Sequence, residues 1–217
     1  MRIKSTSSHI VILVMALIVV IGLMIYLKQG DKVSQETLPD EKFVVRDKTY
    51  FNNLYGFAIS VPSTDWEIVY SEGIDTLKPE NPELGVLENL NLIVNLQRKD
   101  KGQVIALVEI GIIALVQPRT SRQLVVQCLD ELLNACQEKA NQVNLMKEVT
   151  TTPNGSLQAA YFVIALPIAP EYPFPVRVIT IVVRKQLAYC MVCQVSRENY
   201  DYFREDFEQI IQSFRFI

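Results

Sequence analysis

An uninterrupted apolar run near the N-terminus constrains this chain more than any other feature of its sequence. The run, IVILVMALIVVIGLMIYL, extends from Ile10 to Leu27 and contains no charged residue, no proline and a single glycine. As a helix, about 18 residues at ~1.5 Å each span roughly 27 Å, close to the hydrocarbon thickness of a bilayer. The run therefore predicts a transmembrane anchor.

Two other interpretations of the run fit its sequence less well. A cleaved signal peptide has a shorter apolar core of ~7–15 residues and a small-residue cleavage site, whereas KQGDKVSQET follows the run. A buried helix of a globular core normally keeps a polar face. We therefore expect an uncleaved, single-pass anchor in the cell membrane. The short tail before it, residues 1–9, favours a cytoplasmic N-terminus and an extracytoplasmic domain, either periplasmic or extracellular.

The chain after the anchor divides into a polar linker, residues 28–49, and a globular domain, residues 50–217. Only three of the 21 Lys and Arg residues precede residue 31, whereas all 24 Asp and Glu residues lie at or beyond it, so residues 31–217 carry a net charge of −6. Neutralising a phosphate backbone needs clustered Lys and Arg, which excludes nucleic acid as an expected partner. Within the linker, KFVVR is either a short edge strand or irregular.

The first half of the domain is predicted to contain strands followed by a helix. FAISV and WEIVY each alternate with a period of two and, with Pro62 between them, are expected to form the opening hairpin. LNLIVNLQ and VIALVEIGIIALV flank a charged turn and predict a second hairpin. The last of these runs is typical of a central strand covered on both faces, so Glu109 is expected at a strand edge or on the wetter face. In TSRQLVVQCLDELLNACQEKANQ the apolar residues recur every three to four positions, which predicts a helix capped by Thr120 or Ser121.

The second half repeats this order. Asn154-Gly155 predicts a hairpin turn between two strand-like runs, and NGS at 154–156 also fits a glycosylation acceptor. A further strand pair turns near residues 184–186, and the chain ends in an amphipathic helix. This order of strands, a helix, further strands and a second helix predicts an α+β fold with a central, mainly antiparallel sheet flanked by helices.

Few residues in the domain suit catalysis or metal binding. The one histidine, His9, precedes the apolar run, so the domain has no Ser-His-Asp or Cys-His pair and no histidine-containing zinc site. We expect no enzyme activity, metal or cofactor. The four cysteines are expected to be small core residues, because C-x-x-C in a strand points its thiols to opposite faces. A disulfide from Cys128 or Cys136 to Cys190 or Cys193 stays open.

Two loops have compositions that suit binding. LPIAPEYPFPVR is either a stiff connection at the sheet edge or a rigid partner-binding loop that presents two aromatic side chains. In the second interpretation, the residues expected to contact the partner are Pro170, Tyr172, Pro173, Phe174 and Pro175. The acidic segment from Glu72 to Glu88 attracts cations in principle, but it lacks the fixed spacing of a calcium loop.

The two ends of the domain resemble those of the PsbP-like family, which includes the extrinsic oxygen-evolving protein of photosystem II and bacterial relatives. The stretches are YFNNLYGFAISVPSTDWEI and YDYFREDFEQIIQSFRF. The residues that match the family pattern are Tyr55, Gly56, Phe57, Pro62, Trp66, Ser213 and Phe214. The resemblance implies an α/β/α sandwich. The family's histidines cannot be carried over, and an uncleaved anchor departs from the plant proteins, which a transit peptide releases.

Three functions follow from these expectations. The first is a membrane-anchored, non-enzymatic interaction or assembly module for a membrane-associated complex. The second is a small-ligand or lipid-binding envelope protein, which a pocket of ~300 Å³ or more between sheet and helix would favour. The third is an enzyme that uses carboxylates alone, which two acids converging in a cleft would favour.

Overall fold

The computed structural model describes residues 42–70, 76–136, 142–154, 157–170 and 172–217. The predicted tail, the anchor and most of the linker lie outside these residues, so the anchor stays a prediction. Neither described helix has the length and apolar composition that a membrane crossing needs.

A small sheet brings the two ends of the domain together. With strands numbered along the chain, it contains β1 (Phe43–Arg46), β2 (Thr49–Asn52), β3 (Phe57–Ser60) and β11 (Arg215–Phe216) in the order β1-β2-β3-β11. The KFVVR segment of the linker is therefore an edge strand, because β1 pairs antiparallel with β2.

Seven antiparallel strands form the main sheet. They are β4 (Trp66–Tyr70), β5 (Asn91–Asp100), β6 (Gln103–Ala114), β7 (Asn144–Asn154), β8 (Leu157–Ala165), β9 (Val176–Arg184) and β10 (Leu187–Val195). Their order across the sheet is β4-β5-β6-β10-β9-β8-β7. The predicted hairpins β5–β6, β7–β8 and β9–β10 are confirmed. Short connections are sufficient for these pairs because their strands are antiparallel.

The opening hairpin predicted from FAISV and WEIVY is wrong. β3 pairs with β2 across a turn that contains Gly56, whereas β4 pairs with β5 in the other sheet. Gly56 has φ +66°, a conformation that glycine adopts without the penalty of a Cβ atom. Pro62 lies between β3 and β4 and so marks the passage from one sheet to the other.

The described part of the domain contains two helices, α1 (Ser121–Ala135) and α2 (Tyr200–Ser213). Thr120 caps α1 as predicted: its hydroxyl accepts the Gln123 N–H at 3.2 Å, and its own N–H donates to the Gln123 side chain at 2.8 Å. This capping box satisfies two N–H groups that a helix start otherwise leaves unpaired.

Each face of the main sheet has its own apolar cluster. α1 packs over β7, β8 and β9 on one face, and α2 lies with the small sheet on the other. β6 shows the alternation that this requires, since Val108, Ile110 and Ile112 belong to the α2 side and Ile113 to the α1 side. The predicted antiparallel sheet flanked by helices is confirmed.

Glu109 lies in the middle of β6, on the α1 side. Its carboxylate accepts a hydrogen bond from the Gln194 amide on the neighbouring strand β10. The residue is half-buried, so it is on a partly wet face of the sheet rather than at a strand edge.

Candidate functional site

A groove of about 610 Å³ lies between α2 and the strands β7, β8 and β9. α2 packs on β3 and β10, and the main sheet continues from β10 through β9 and β8 to β7, which supply the floor of the groove. Its volume is within the ~300–1,000 Å³ typical of small-molecule sites, and it lies between sheet and helix, where the second predicted function requires a pocket.

The floor and inner wall of the groove are mainly apolar. In the sheet, Tyr161 of β8 lies opposite Thr180 of β9, and Val163 lies opposite Val178 in the next row. The apolar part of the lining consists of Met146, Ala159, Val163, Val178, Phe207 and Ile211, and polar or charged residues supply the rest. An apolar floor beside polar groups that fix the orientation of a ligand is a usual feature of a site that binds a small organic molecule.

Thr180 is the polar residue at the centre of this floor. It is 1% exposed, and its Oγ1 has no hydrogen-bond partner among the described residues. Val178 and Val182, two residues away on either side, belong to the apolar cluster on the α2 side. Because strand side chains alternate between faces, the Thr180 side chain points to that same side.

Strand β7 forms one rim of the groove through its irregular pairing with β8. The register shifts between Leu145 and Lys147 and again between Lys147 and Thr150. Such bulges redirect side chains away from the regular alternation, and both Met146 and Lys147 line the groove. The Lys147 ammonium donates to the Tyr161 hydroxyl and lies 4.6 Å from the centre of its ring.

The charged lining of the groove suits binding better than acid–base catalysis. Asp201 and Glu208 of α2 face it together with Arg204 and Lys147. The two acids are seven positions apart on the helix, about 10 Å along its axis, so their positions on α2 do not bring them together as a carboxylate pair. Tyr200 lines the same end, and burial raises the pKa of its hydroxyl.

The predicted residue Trp66 lies in the core beneath α2. It is 4% exposed, its ring meets Phe203 and Phe207 edge-on, and its Nε1–H donates to Asp206 at 2.8 Å. All three partners belong to α2, so Trp66 joins the first strand of the main sheet to the last helix.

The other residues of the two end motifs join the small sheet to the core. Phe57 is fully buried and stacks on Phe214 with ring centres 5.5 Å apart. The Ser213 hydroxyl accepts the Ser60 N–H at 2.9 Å and donates to the Ile210 carbonyl at 2.7 Å. The Tyr55 carbonyl accepts a hydrogen bond from the Tyr189 hydroxyl at 2.8 Å. These contacts join the small sheet and the turn before β3 to α2 and to β10.

The proline-rich loop is closed at its base, where the Leu166 N–H donates to the Pro175 carbonyl at 2.8 Å. Tyr172 is half-buried, and the Arg177 guanidinium lies 5.6 Å from the centre of its ring. Phe174 is also half-buried, whereas Pro170 and Pro173 are exposed. Ile168, which the sequence analysis did not single out, is 77% exposed and is the prominent apolar side chain of the loop.

All four cysteines are free and buried. Cys190 belongs to the α1-side cluster and Cys193 to the α2-side cluster, which confirms the expected opposite orientation of the C-x-x-C thiols. Burial raises the pKa of Cys128 to about 12 and raises the pKa of Cys190 and Cys193 as well. A redox motif needs a lowered thiol pKa, so the shifts at Cys190 and Cys193 favour a structural role.

Two carboxylates of the acidic segment, those of Glu80 and Glu88, make structural contacts. Glu80 forms an ion pair with Arg119 and accepts a hydrogen bond from the Val116 N–H at 3.3 Å. Glu88 accepts a hydrogen bond from the Gly85 N–H at 3.2 Å. These bonds attach the segment to the chain between β6 and α1 and to itself.

The residues of the groove were not predicted from the sequence. Thr180 is a polar residue inside the otherwise apolar run VITIVV, and this was the available signal. The groove itself depends on where α2 lies across the sheet, which no local pattern records.

The fold of this domain is similar to that of a solved cyanobacterial protein. No protein-family model and no curated protein matches the sequence. The solution structure of cyanobacterial PsbP (CyanoP) from Synechocystis sp. PCC 6803 has a TM-score of 0.50 and 10% identity, covering 78% of this chain and 91% of that chain. A crystal structure from Bacteroides thetaiotaomicron has a TM-score of 0.43 and 10% identity, covering 80% of this chain and 49% of that chain. The likeness to CyanoP confirms a PsbP-like fold.

Proposed function

We propose that this chain is a single-pass membrane protein whose PsbP-like domain is a non-enzymatic interaction or assembly module for a membrane-associated complex. The run from Ile10 to Leu27 anchors it, and the domain lies outside the cytoplasm. The PsbP-like fold behind an apolar run of membrane-spanning length carries this proposal. The lack of histidine beyond His9 supports binding over catalysis, because histidine is the commonest general acid or base at neutral pH.

The proline-rich loop is the surface that we assign to the partner. Its prolines stiffen the backbone, which lowers the entropy lost on binding, and Ile168 exposes an aliphatic side chain at 77%. The Tyr172–Arg177 contact supports the loop from the inside. The loop therefore presents a rigid, partly apolar surface of the kind that protein interfaces use.

Co-purification of the full chain in mild detergent tests this function. We expect a partner to be recovered with the natural protein, and its recovery to fall about tenfold, or 1.4 kcal/mol, in Ile168→Asp. Val116→Asp is the matched control, because Val116 is also an exposed aliphatic residue, at 50%, and lies outside the loop. Repeated recovery of the anchored protein alone would remove the main support for the proposal.

The orientation has its own test in intact cells that carry the full chain with an N-terminal tag. External protease should cleave the domain while the tag stays protected. Cleavage of the domain only after the cells are opened would place the domain in the cytoplasm and contradict the proposed topology.

A second function, small-ligand or lipid binding, is favoured by the groove between α2 and the sheet. Mass spectrometry of the purified full chain should find a co-purifying small molecule. It should be lost in Ile211→Trp, which adds bulk at the groove wall, and kept in Val126→Trp, an exposed position on α1. Equal retention in both variants would show that the molecule binds outside the groove.

A further inference from the structure

The buried hydroxyl of Thr180 indicates what the groove binds. Burying a hydroxyl without a partner opposes folding, and Thr180 Oγ1 has no partner among the described residues. The residue lies in the floor of a groove with room for a small molecule. The hydroxyl oxygen is itself buried from solvent, so it reaches a ligand only after rotation about its Cα–Cβ bond. A ligand atom that then hydrogen-bonds this hydroxyl would supply the missing partner.

The charges of the groove indicate the kind of molecule. Lys147 and Arg204 are balanced in the lining by Asp201 and Glu208, so the groove has no net charge to offset an ionised ligand. Residues 31–217 carry a net charge of −6, and this wider field repels anions. Both observations favour an uncharged ligand over a carboxylate or phosphate.

We propose that the groove binds a neutral amphipathic molecule with an apolar chain and one hydroxyl or carbonyl oxygen, which hydrogen-bonds Thr180. The chain lies along the apolar lining formed by Val163, Val178 and Ile211. Long-chain alcohols and neutral lipids with a hydroxyl group belong to this class. The proposal rests on the second function above and specifies its ligand.

Photo-crosslinking of the full chain in mild detergent tests the ligand class. Two diazirine probes of the same chain length are compared, a long-chain alcohol and the corresponding carboxylic acid. Mass spectrometry locates the labelled peptides and so separates labelling of the groove from labelling elsewhere. We expect the alcohol to label peptides that contain Tyr161 and Ile211 with an apparent affinity about tenfold above that of the acid.

The outcomes separate this proposal from the function on which it rests. Equal or stronger groove labelling by the acid would overturn the neutral ligand while leaving the groove a ligand site. No groove labelling by either probe would overturn both the ligand class and the second function. The assembly function is tested by co-purification and does not depend on these results.

Variants test the role of Thr180 directly. Thr180→Val should lower the apparent affinity for the alcohol about tenfold and leave labelling by a hydrocarbon probe without a head group unchanged. Thr180→Ser should retain labelling by the alcohol, because it keeps the hydroxyl. Ile211→Trp should abolish groove labelling, and Val126→Trp on α1 should not change it. Unchanged labelling by the alcohol in a folded Thr180→Val protein would exclude the hydrogen bond.

Discussion

At the scale of single residues, Trp66 and Thr180 differ in whether the buried polar group has a hydrogen-bond partner. Both residues lie on the α2 side of the sheet. Trp66 is 4% exposed, and its N–H donates to Asp206. Thr180 is 1% exposed, and its hydroxyl has no partner among the described residues. A paired group stabilises the fold, whereas an unpaired one opposes it.

Replacing Trp66 should destabilise the domain strongly. We expect Trp66→Ala to lower the free energy of unfolding by ~3–5 kcal/mol, because it leaves a cavity among α2 side chains. Trp66→Phe keeps a ring and loses mainly the hydrogen bond to Asp206, so it should cost about 1 kcal/mol. Chemical denaturation of the full chain measures both. An unchanged stability together with lost partner binding would show that Trp66 belongs to an interface instead.

Replacing Thr180 by valine should have the opposite effect on the free energy of unfolding. Thr180→Val keeps the shape of the side chain and removes an unpaired hydroxyl, so it should raise the free energy of unfolding by about 1 kcal/mol in the absence of ligand. Thr180→Ser is the control, since it retains the hydroxyl and should not stabilise. A loss of stability in the valine variant would mean that the hydroxyl has a partner in the unliganded protein.

At the scale of elements, the two helices begin in different ways. Thr120 caps α1 with a reciprocal capping box. Asn199 stands at the same place before α2 but makes no side-chain capping hydrogen bond. α2 is instead held by the core contacts of Phe203, Phe207 and Ile210, because packing of an apolar face supplies most helix stability in a folded protein.

The difference in capping gives a paired prediction. Thr120→Ala should lower the free energy of unfolding by about 1 kcal/mol, since it removes the acceptor of the Gln123 N–H. Asn199→Ala should change it by less than about 0.5 kcal/mol, the usual range for substitutions away from such contacts. Thermal or urea unfolding of both variants measures the two changes in stability. Equal changes would contradict the assigned capping difference.

The predicted strands and the predicted pairings of those strands had different outcomes. The hairpin β5–β6 was predicted because its turn and both its strands are contiguous in sequence. For β3 the wrong neighbour was predicted, since it pairs with β2 rather than with β4, and its second partner, β11, comes from the far end of the chain. An alternating strand pattern indicates which face is buried, but it does not indicate which strand will lie beside it.

At the scale of the whole molecule, the cysteines report on global unfolding. All four are buried and free. We expect a thiol-alkylating reagent at mildly alkaline pH to modify none of them quickly in the native protein and all of them after unfolding, because only exposed thiolate reacts. Modification counted by intact mass measures this. Rapid native labelling of Cys128 or Cys190 would contradict the burial of the α1-side cluster.

The same thiols link stability to pH. Burial raises the pKa of Cys128 to about 12, while a thiol in an unfolded chain ionises near pH ~8.5. The unfolded state therefore loses a proton first, and the free energy of unfolding should fall as the pH rises above about 8.5. Cys128→Ser should weaken this dependence, which denaturation at several pH values would reveal.

The sequence by itself determined the features that depend on neighbouring residues. These are the hairpins β5–β6, β7–β8 and β9–β10, the capped α1, the buried face of Trp66 and the exclusion of histidine chemistry, while the anchor stays a prediction. Only the tertiary structure decided how the hairpins and the remaining strands are ordered in the two sheets, how Glu109 meets Gln194 and where α2 leaves the groove above Thr180. Those features join residues that are far apart in the chain, and their geometry follows from how whole faces pack, which local periodicity does not encode.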